Sequence, residues 1–385
     1  MEQEPIAQTY LLNYTFNQDG SCFSLATSTG FRTFTISPLS EISRRTMPED
    51  SAVAIATMLF QTNYLALVLK SQPYRVLLWD DSLRQKPHEI WSRYEVLNVL
   101  LRRDVLVVVS EYKIYIYEFG SFQVLMHLET ASNARGVAAL APGGSRWVLV
   151  CPGSTAGTIK IQTGADQSAE IAAHSHSIAA IAINPEGTLV ATASEQGTVI
   201  KVFSIAELRL IFSFRRGTTT SLISSLAFRP DSKFLAVASA SSATVHVFRL
   251  LDASHSATSE AEEPSAAGGL GRVAAAAAAG LAPGYFAAER SFCQFRLSDV
   301  DGSGRPAVDL RLGGGGGASA LCGPTVAFGK GRVFVLHYNG VLYEGEFDEN
   351  AGGAELGFAR THVVFAARPE FRLENPREED AWQVV

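Results

Sequence analysis

Short runs rich in Val, Ile, Phe and Tyr recur along the chain, divided by turns that carry Gly, Pro, Asn or Asp. Runs of that length and composition, bounded by turn residues, predict β-strands. Strands are expected over Val105–Ser110, Lys113–Phe119, Arg146–Cys151, Leu189–Ser194 and Val199–Phe203. Long amphipathic helical stretches are nearly absent, so the pattern is all-β.

The pattern also repeats. Residues 178–203 read IAAIAINPEGTLVATASEQGTVIKVF and residues 223–248 read ISSLAFRPDSKFLAVASASSATVHVF, an offset of 45. Pro185 aligns with Pro230, Ala193-Ser194 with Ala238-Ser239, and Val202-Phe203 with Val247-Phe248. A weaker copy starts at Phe16-Asn17-Gln18-Asp19-Gly20 and runs to Thr35. A period of about 40–45 residues with four short strands per unit marks propeller blades. Seven such units need roughly 280–320 residues, which the 385 residues supply once loops are included. Blades bury their faces only against neighbours, so the ring has to close. The expected fold is a seven-bladed β-propeller with one blade completed by N- and C-terminal strands. Trp79-Asp80 is the one Trp-Asp dipeptide that closes a strand, so the common WD40 signature is degenerate here.

Some segments leave the pattern. Residues 252–284 are rich in Ala, Ser, Gly and Glu and include Ala274–Ala279, which reads as one long loop in a late blade with helical tendency at its far end. Gly313–Gly317 is read as a flexible turn; without a following Lys-Ser/Thr and helix it is not a phosphate loop. Residues 1–367 are assigned to a single propeller, and 368–385 to a polar, disordered tail.

Composition narrows the classes. Apolar residues make up 47% and charged residues 18%, enough for a large core and unlike a disordered chain. The formal net charge of −6 argues against a general nucleic-acid face, so anion binding has to come from a local site. Cys22, Cys151, Cys293 and Cys322 form no C-x-x-C pair, and no His stands at metal-ligand spacing from them, so reduced, mostly buried thiols of a cytosolic protein are expected. No metal or cofactor is implied. Met1-Glu2-Gln3-Glu4-Pro5 is no signal peptide, and no run of about 20 apolar residues is available to span a bilayer. Membrane attachment, if present, is therefore peripheral.

The candidate chemistry lies between the two strong repeats. Arg215 and Arg216 follow the alternating Leu210-Ile211-Phe212-Ser213-Phe214 and precede Gly217. Successive strand side chains point to opposite faces, so two adjacent arginines serve two pockets rather than one. The guanidinium fork suits phosphate oxygens. On one side the repeats offer His174, Thr192, Ser194, Gly197, Thr198 and Lys201; on the other, Ser239, Thr244 and His246. Hydroxyls and imidazoles supply neutral donors, and Gly197 and Gly217 permit close backbone approach. Taken alone, Arg-Arg-Gly reads as a solvent-facing strand cap; the repeats on either side, together with the resemblance that follows, change that reading.

Phe214-Arg215-Arg216-Gly217 between two blade repeats resembles the diagnostic motif of the PROPPIN family, the autophagy-related propellers also called WIPI proteins. Residues 16–23, Leu78-Trp79-Asp80-Asp81, Asn133-Ala134-Arg135-Gly136, residues 191–198, Thr244–Phe248, Tyr285-Phe286 and Arg290-Ser291-Phe292 are similar to family segments. The resemblance implies two sites for phosphatidylinositol 3-phosphate or 3,5-bisphosphate on blades five and six. The first would use His174, Thr192, Ser194, Gly197, Thr198, Lys201 and Arg215; the second Arg216, Gly217, Thr244 and His246. Lys201 stands where an arginine is frequent, and Ala240 where serine is usual, so the second site is expected either to be weaker or to use Ser239 or Ser241 instead. Residues 252–284 fall where the family has a membrane-inserting loop. With only Leu270, Val273 and Leu281 as larger apolar groups, insertion would be shallow.

The resemblance further implies a monomeric adaptor, cytoplasmic and peripheral on preautophagosomal, endosomal or vacuolar membranes. It would recruit the lipid-transfer protein of autophagy, with Gln72-Pro73-Tyr74-Arg75 as a candidate contact turn. The competing reading is a protein-binding WD-repeat scaffold without a lipid site. No nucleophile–base pair, metal cluster or paired carboxylates stand out, which sets enzymatic function aside.

Overall fold

The computed structural model describes residues 9–48, 51–240, 244–250, 289–297, 323–329, 331–338, 340–349 and 357–365. Every regular element among them is a strand, and the strands form seven sheets in succession, antiparallel except for one short parallel pair in the fifth. Blade one holds β1 (Leu11–Phe16), β2 (Cys22–Thr27), β3 (Gly30–Thr35) and β4 (Ser40–Thr46). Blade two holds β5 (Val53–Met58), β6 (Tyr64–Leu69), β7 (Gln72–Asp80) and β8 (Gln85–Trp91). Blade three holds β9 (Asn98–Leu101), β10 (Val105–Val109), β11 (Lys113–Glu118) and β12 (Val124–Glu129). Blade four holds β13 (Ala139–Leu140), β14 (Val148–Pro152), β15 (Thr158–Thr163) and β16 (Gln167–Ala172). Blade five holds β17 (Ile178–Ile183), β18 (Leu189–Ser194), β19 (Val199–Ser204) and β20 (Arg209–Arg215). Blade six holds β21 (Ile223–Phe228), β22 (Phe234–Ser239), β23 (Thr244–Arg249) and, after a long connection, β25 (Cys293–Arg296); the intervening β24 (Glu289–Arg290) joins blade five as a fifth strand. Blade seven holds β26 (Thr325–Gly329), β27 (Arg332–Leu336), β28 (Val341–Glu346) and β29 (Gly357–Val363).

The two-residue period of a strand explains how these sheets pack. In β14 all five side chains are buried. Leu149 and Cys151 join Val107, Val109 and Ile116 of blade three, whereas Val148 and Val150 join Ile178, Val190 and Phe203 of blade five. Each inner strand therefore has two apolar faces, one for each neighbouring blade. A separate cluster fills every interface around the ring, from blades one and two through to blades seven and one. The first strand of each blade also lies beside the first strands of both neighbours, which places those strands innermost.

Ring closure differs from the sequence expectation. Among the described residues no blade is shared between the chain ends: blade one is built from residues 11–46 and blade seven from 325–363. Side-chain packing closes the ring instead. Tyr14, Phe23, Leu25 and Phe34 meet Phe334, Leu336, Leu342 and Phe365, and the Tyr14 hydroxyl donates to Gly323 O at 2.7 Å.

The repeat is a shared turn. Asn184 Oδ1 accepts from Thr188 N and Leu189 N, both at 2.8 Å, and Gly187 takes φ +72°. Asn17 Oδ1 likewise accepts from Ser21 N at 3.0 Å and Cys22 N at 3.1 Å, with Gly20 at φ +66°. In the copy at 223–248 Ser232 adopts φ +59° without a glycine, and Arg229 replaces the asparagine, pairing with Asp231 and Glu349. Gln72-Pro73-Tyr74-Arg75 opens β7 and is strand, not turn. Its Pro73 falls in the irregular stretch between the Leu69–Gln72 and Val68–Val76 pairs, a bulge position that tolerates proline.

Candidate functional site

The register of β19 and β20 determines where the two arginines face. Phe214 is buried against Leu235, Val237 and Phe248 of blade six, its ring 4.8 Å from that of Phe248. Arg216 is two residues on and continues the ladder, its N–H donating to Thr198 O at 2.9 Å. By alternation Arg216 lies on the blade-six side and Arg215 on the blade-four side. Arg215 pairs with Val199, and two positions along, Lys201 pairs with Ser213. Lys201 reaches back toward blade four, where Nζ donates to Ala173 O at 2.6 Å. Arg215 and Arg216 therefore lie on opposite faces of one strand, with Lys201 on the Arg215 face.

On the blade-four side, His174, Thr192 and Lys201 come together. Thr192, fully buried, pairs with Lys201 across β18 and β19. Its hydroxyl donates to Lys201 O at 3.4 Å, leaving its lone pairs to accept from His174 Nε2–H at 3.0 Å. Burial, followed by the nearby Lys201 charge, pulls the His174 pKa down to about 4, so the ring is neutral at pH 7. Burial alone lowers the pKa of Lys201. Ser194 is buried two residues beyond Thr192, on the same face.

A parallel arrangement faces blade six. His246 pairs with Val237, the register position that Lys201 and Thr192 occupy in blade five. It is 4% exposed, and burial followed by the Arg216 charge pulls its pKa to about 4. Arg216 Nε donates to Gly197 O at 2.6 Å and its Nη2 to Thr219 O. Ser239 is fully buried, and its hydroxyl finds no hydrogen-bond partner among the described residues. Thr244 starts β23 two residues before His246, on the same face. Ser241 lies outside the described residues.

The glycines divide. Gly197 has φ +58°, and a Cβ there would lie 1.9 Å from Ser221 O, so it is required by the fold itself. At Gly217 a Cβ would meet nothing within 4 Å. Thr198 contributes its carbonyl to the ladder with Arg216. Sequence reasoning gave no site role to Ser291, whose Oγ lies 3.4 Å from His246 Nδ1. It is 45 residues from that histidine in the chain; Arg290-Ser291-Phe292 is among the segments similar to the family, but nothing in that segment signals the contact.

Residues 251–288 join the third and fourth strands of blade six, where the long loop was expected. They lie outside the described residues, as do Leu270, Val273 and Leu281, Gly313–Gly317 and the tail from residue 366. Cys22, Cys151 and Cys293 are buried free thiols, and burial pushes Cys151 and Cys293 up to about 12. Among the described residues there is no cluster of His, Cys, Asp and Glu fit for a metal, and no helix long and apolar enough to cross a membrane.

Comparison with known proteins agrees with this architecture. The chain is 35% identical over 294 residues to Autophagy-related protein 18 of Aspergillus terreus, covering 70% of this chain and 69% of that one. It is 33% identical over 304 residues to SVP1-like protein 2 of Pichia angusta, covering 76% and 82%. Kluyveromyces lactis Hsv2 superposes with a TM-score of 0.69 at 20% identity, covering 93% of this chain and all of that one. KlAtg21, solved in complex with the coiled coil of AgAtg16, superposes with a TM-score of 0.67 at 20% identity, covering 92% and 100%. The PROPPIN family model matches residues 10–364, from the first strand of blade one to the last of blade seven, and the chain belongs to that family.

Proposed function

We propose that this propeller is a phosphoinositide-reading peripheral adaptor in autophagy, using one pocket on each side of β20. The ligands would be phosphatidylinositol 3-phosphate, its 3,5-bisphosphate, or both. One observation carries the reading: adjacent arginines fall on opposite faces of one strand, and each face also holds a neutral imidazole, half-buried at His174 and buried at His246, beside a cation. Such a pocket offers charge and hydrogen-bond donors to a phosphate group. Desolvation strengthens both kinds of contact. The overall charge of −6 leaves no general attraction to anionic surfaces, so selectivity rests on the pockets.

The autophagy role is carried over from Autophagy-related protein 18, and a protein-binding surface is consistent with the coiled coil bound by KlAtg21. In this chain Tyr74 and Trp91 are exposed, and the Arg75 guanidinium lies 5.2 Å from the Trp91 ring, which keeps Gln72–Arg75 as the candidate partner contact. The partner proposed is the lipid-transfer protein of the pathway, and the location the cytoplasmic face of preautophagosomal, endosomal or vacuolar membranes. Sedimentation of the full chain with vesicles carrying each phosphoinositide in turn tests the reading. Capture only by vesicles with a 3-phosphorylated headgroup is the expected result. Equal behaviour on all vesicles would favour a protein-binding scaffold without a lipid site.

A further inference from the structure

Blades five and six are stitched together by one short segment. β24 runs parallel to β20, pairing Glu289 with Phe214 and Arg290 with Arg215. After Ser291 and Phe292 the chain enters β25 of blade six, pairing Cys293 with Val247 and Gln294 with His246. The crossover is anchored: Phe292 N–H donates to Val247 O at 2.8 Å, its ring meets Phe234 edge-on at 5.7 Å, and the Arg249 guanidinium lies over it at 5.3 Å. Ser291 is thus fixed at both ends. It directly follows the backbone partner of Arg215, so in register it neighbours Arg216, and its Oγ lies 3.4 Å from His246 Nδ1.

We propose that Ser291 is a further binding residue of the second pocket, donating its hydroxyl proton to a phosphate group held between Arg216 and His246. The inference rests on the phosphoinositide reading above. Neutral His246 can accept at Nδ1, but a contact of 3.4 Å is a long one for a hydroxyl donor, which normally sits at about 2.7–2.8 Å. A phosphate oxygen is a stronger acceptor and makes a shorter, stronger bond. The buried Ser239 hydroxyl, unpartnered among the described residues and on the His246 face of blade six, is a second donor for the same ligand. The second pocket would then draw on three stretches of chain: the blade-five strand end, the outer half of blade six, and the segment returning from residues 251–288.

The test uses the full chain on vesicles containing phosphatidylinositol 3-phosphate, with Ser291→Val and Ser291→Thr placed in Arg215→Thr and Arg216→Thr backgrounds. With Arg215→Thr only the second pocket remains intact, and Ser291→Val should weaken binding about tenfold, the loss of one hydrogen bond to a charged group. Ser291→Thr keeps the hydroxyl at the same volume and should bind like its parent. With Arg216→Thr, Ser291→Val should change nothing. Equal losses in both backgrounds, no loss in the first, or equal behaviour of Val and Thr overturns the proposal. Repeating the titration with inorganic phosphate as competitor distinguishes the ligand source. Competition with the same Ser291 dependence assigns the hydroxyl to phosphate as such, and its absence assigns it to the membrane headgroup. Should the double arginine variant sediment as the parent does, the phosphoinositide reading fails, however Ser291 behaves.

Discussion

Blades four and five share a scaffold and differ at its outer end. In blade four Lys160 pairs with Cys151 on one side and Glu170 on the other, and its Nζ donates to Glu129 O at 3.2 Å. In blade five Lys201 pairs with Thr192 and Ser213, and its Nζ donates to Ala173 O at 2.6 Å. Blade four supplies its own anion. The Glu170 carboxylate accepts from Thr158 Oγ1 at 2.7 Å, Ser154 Oγ at 2.8 Å and Ser154 N at 2.9 Å. In blade five the register position of Glu170 holds Ser213, and that of Ala172 holds Arg215. One rim satisfies its donors internally; the other adds a cation and removes the carboxylate. The lesson is that the propeller register is neutral about function, and that two substitutions on an outer strand convert a self-satisfied rim into an anion-binding candidate.

The largest expected effect tests the shared scaffold. Phe214 is 1% exposed and stacks between Phe212 and Phe248. Phe214→Ala should cost about 3–5 kcal/mol in denaturant unfolding. A cost under about 1 kcal/mol would mean that the strand end carrying the arginines is not part of the core.

Acid separates the two rims. His174 and His246 have folded pKa values near 4 against 6.5 for the free group, so the unfolded chain binds more protons between those values. Their contribution is complete above pH 6.5 and is lost as pH falls toward 4, at most about 3 kcal/mol each. Hydrogen bonding to Thr158 lowers the Glu170 pKa, so blade four loses its contribution only below the ordinary carboxylate value of 4.5. Melting temperature should therefore fall between pH 6.5 and 4.5, and His174→Gln should flatten that slope while Glu170→Gln leaves it unchanged. The opposite assignment would break the comparison.

Two smaller effects sharpen it. Gly197→Ala introduces a Cβ against Ser221 O at φ +58° and should cost about 1–3 kcal/mol, whereas Gly217→Ala should leave the melting temperature unchanged. Equal destabilisation would deny that only Gly197 is a demand of the fold. Glu170→Ala should cost less than about 1 kcal/mol, because the carboxylate is exposed and water can replace it. A larger loss would make the blade-four rim structurally essential.

Much of this was legible in the sequence, for physical reasons. The turn residues Asn184 and Gly187 and the strand β18 recur at fixed spacing because every blade needs the same hairpin, and β18 falls where expected, at Leu189–Ser194. The opposite facing of Arg215 and Arg216 follows from the strand period alone. Ring closure was not legible: an interface of Phe23, Phe34, Phe334 and Phe365 involves side chains from opposite ends of the chain, with no backbone pairing to leave a pattern. β13, of two residues, is too short for a periodic signal. Ser291 belongs to the pocket only because the chain crosses blades there, and a crossover has no composition of its own. The sequence offers Gly197 as a point of close backbone approach, and the backbone that approaches it within the fold is that of Ser221, whose O would lie 1.9 Å from a Cβ there.

The central claim is that the two rim arginines, and not the general surface, bring this propeller to phosphoinositide membranes. Its most direct test is sedimentation of the Arg215→Thr, Arg216→Thr double variant with vesicles containing phosphatidylinositol 3-phosphate, alongside its melting temperature and both single variants. Each single change should weaken binding about tenfold or more, since a hydrogen bond to a charged group contributes roughly 1.5–3 kcal/mol. Because two pockets on one rim act together at a membrane, the double change should abolish recruitment, with the melting temperature nearly unchanged. A folded double variant that sediments as the parent does would contradict the account.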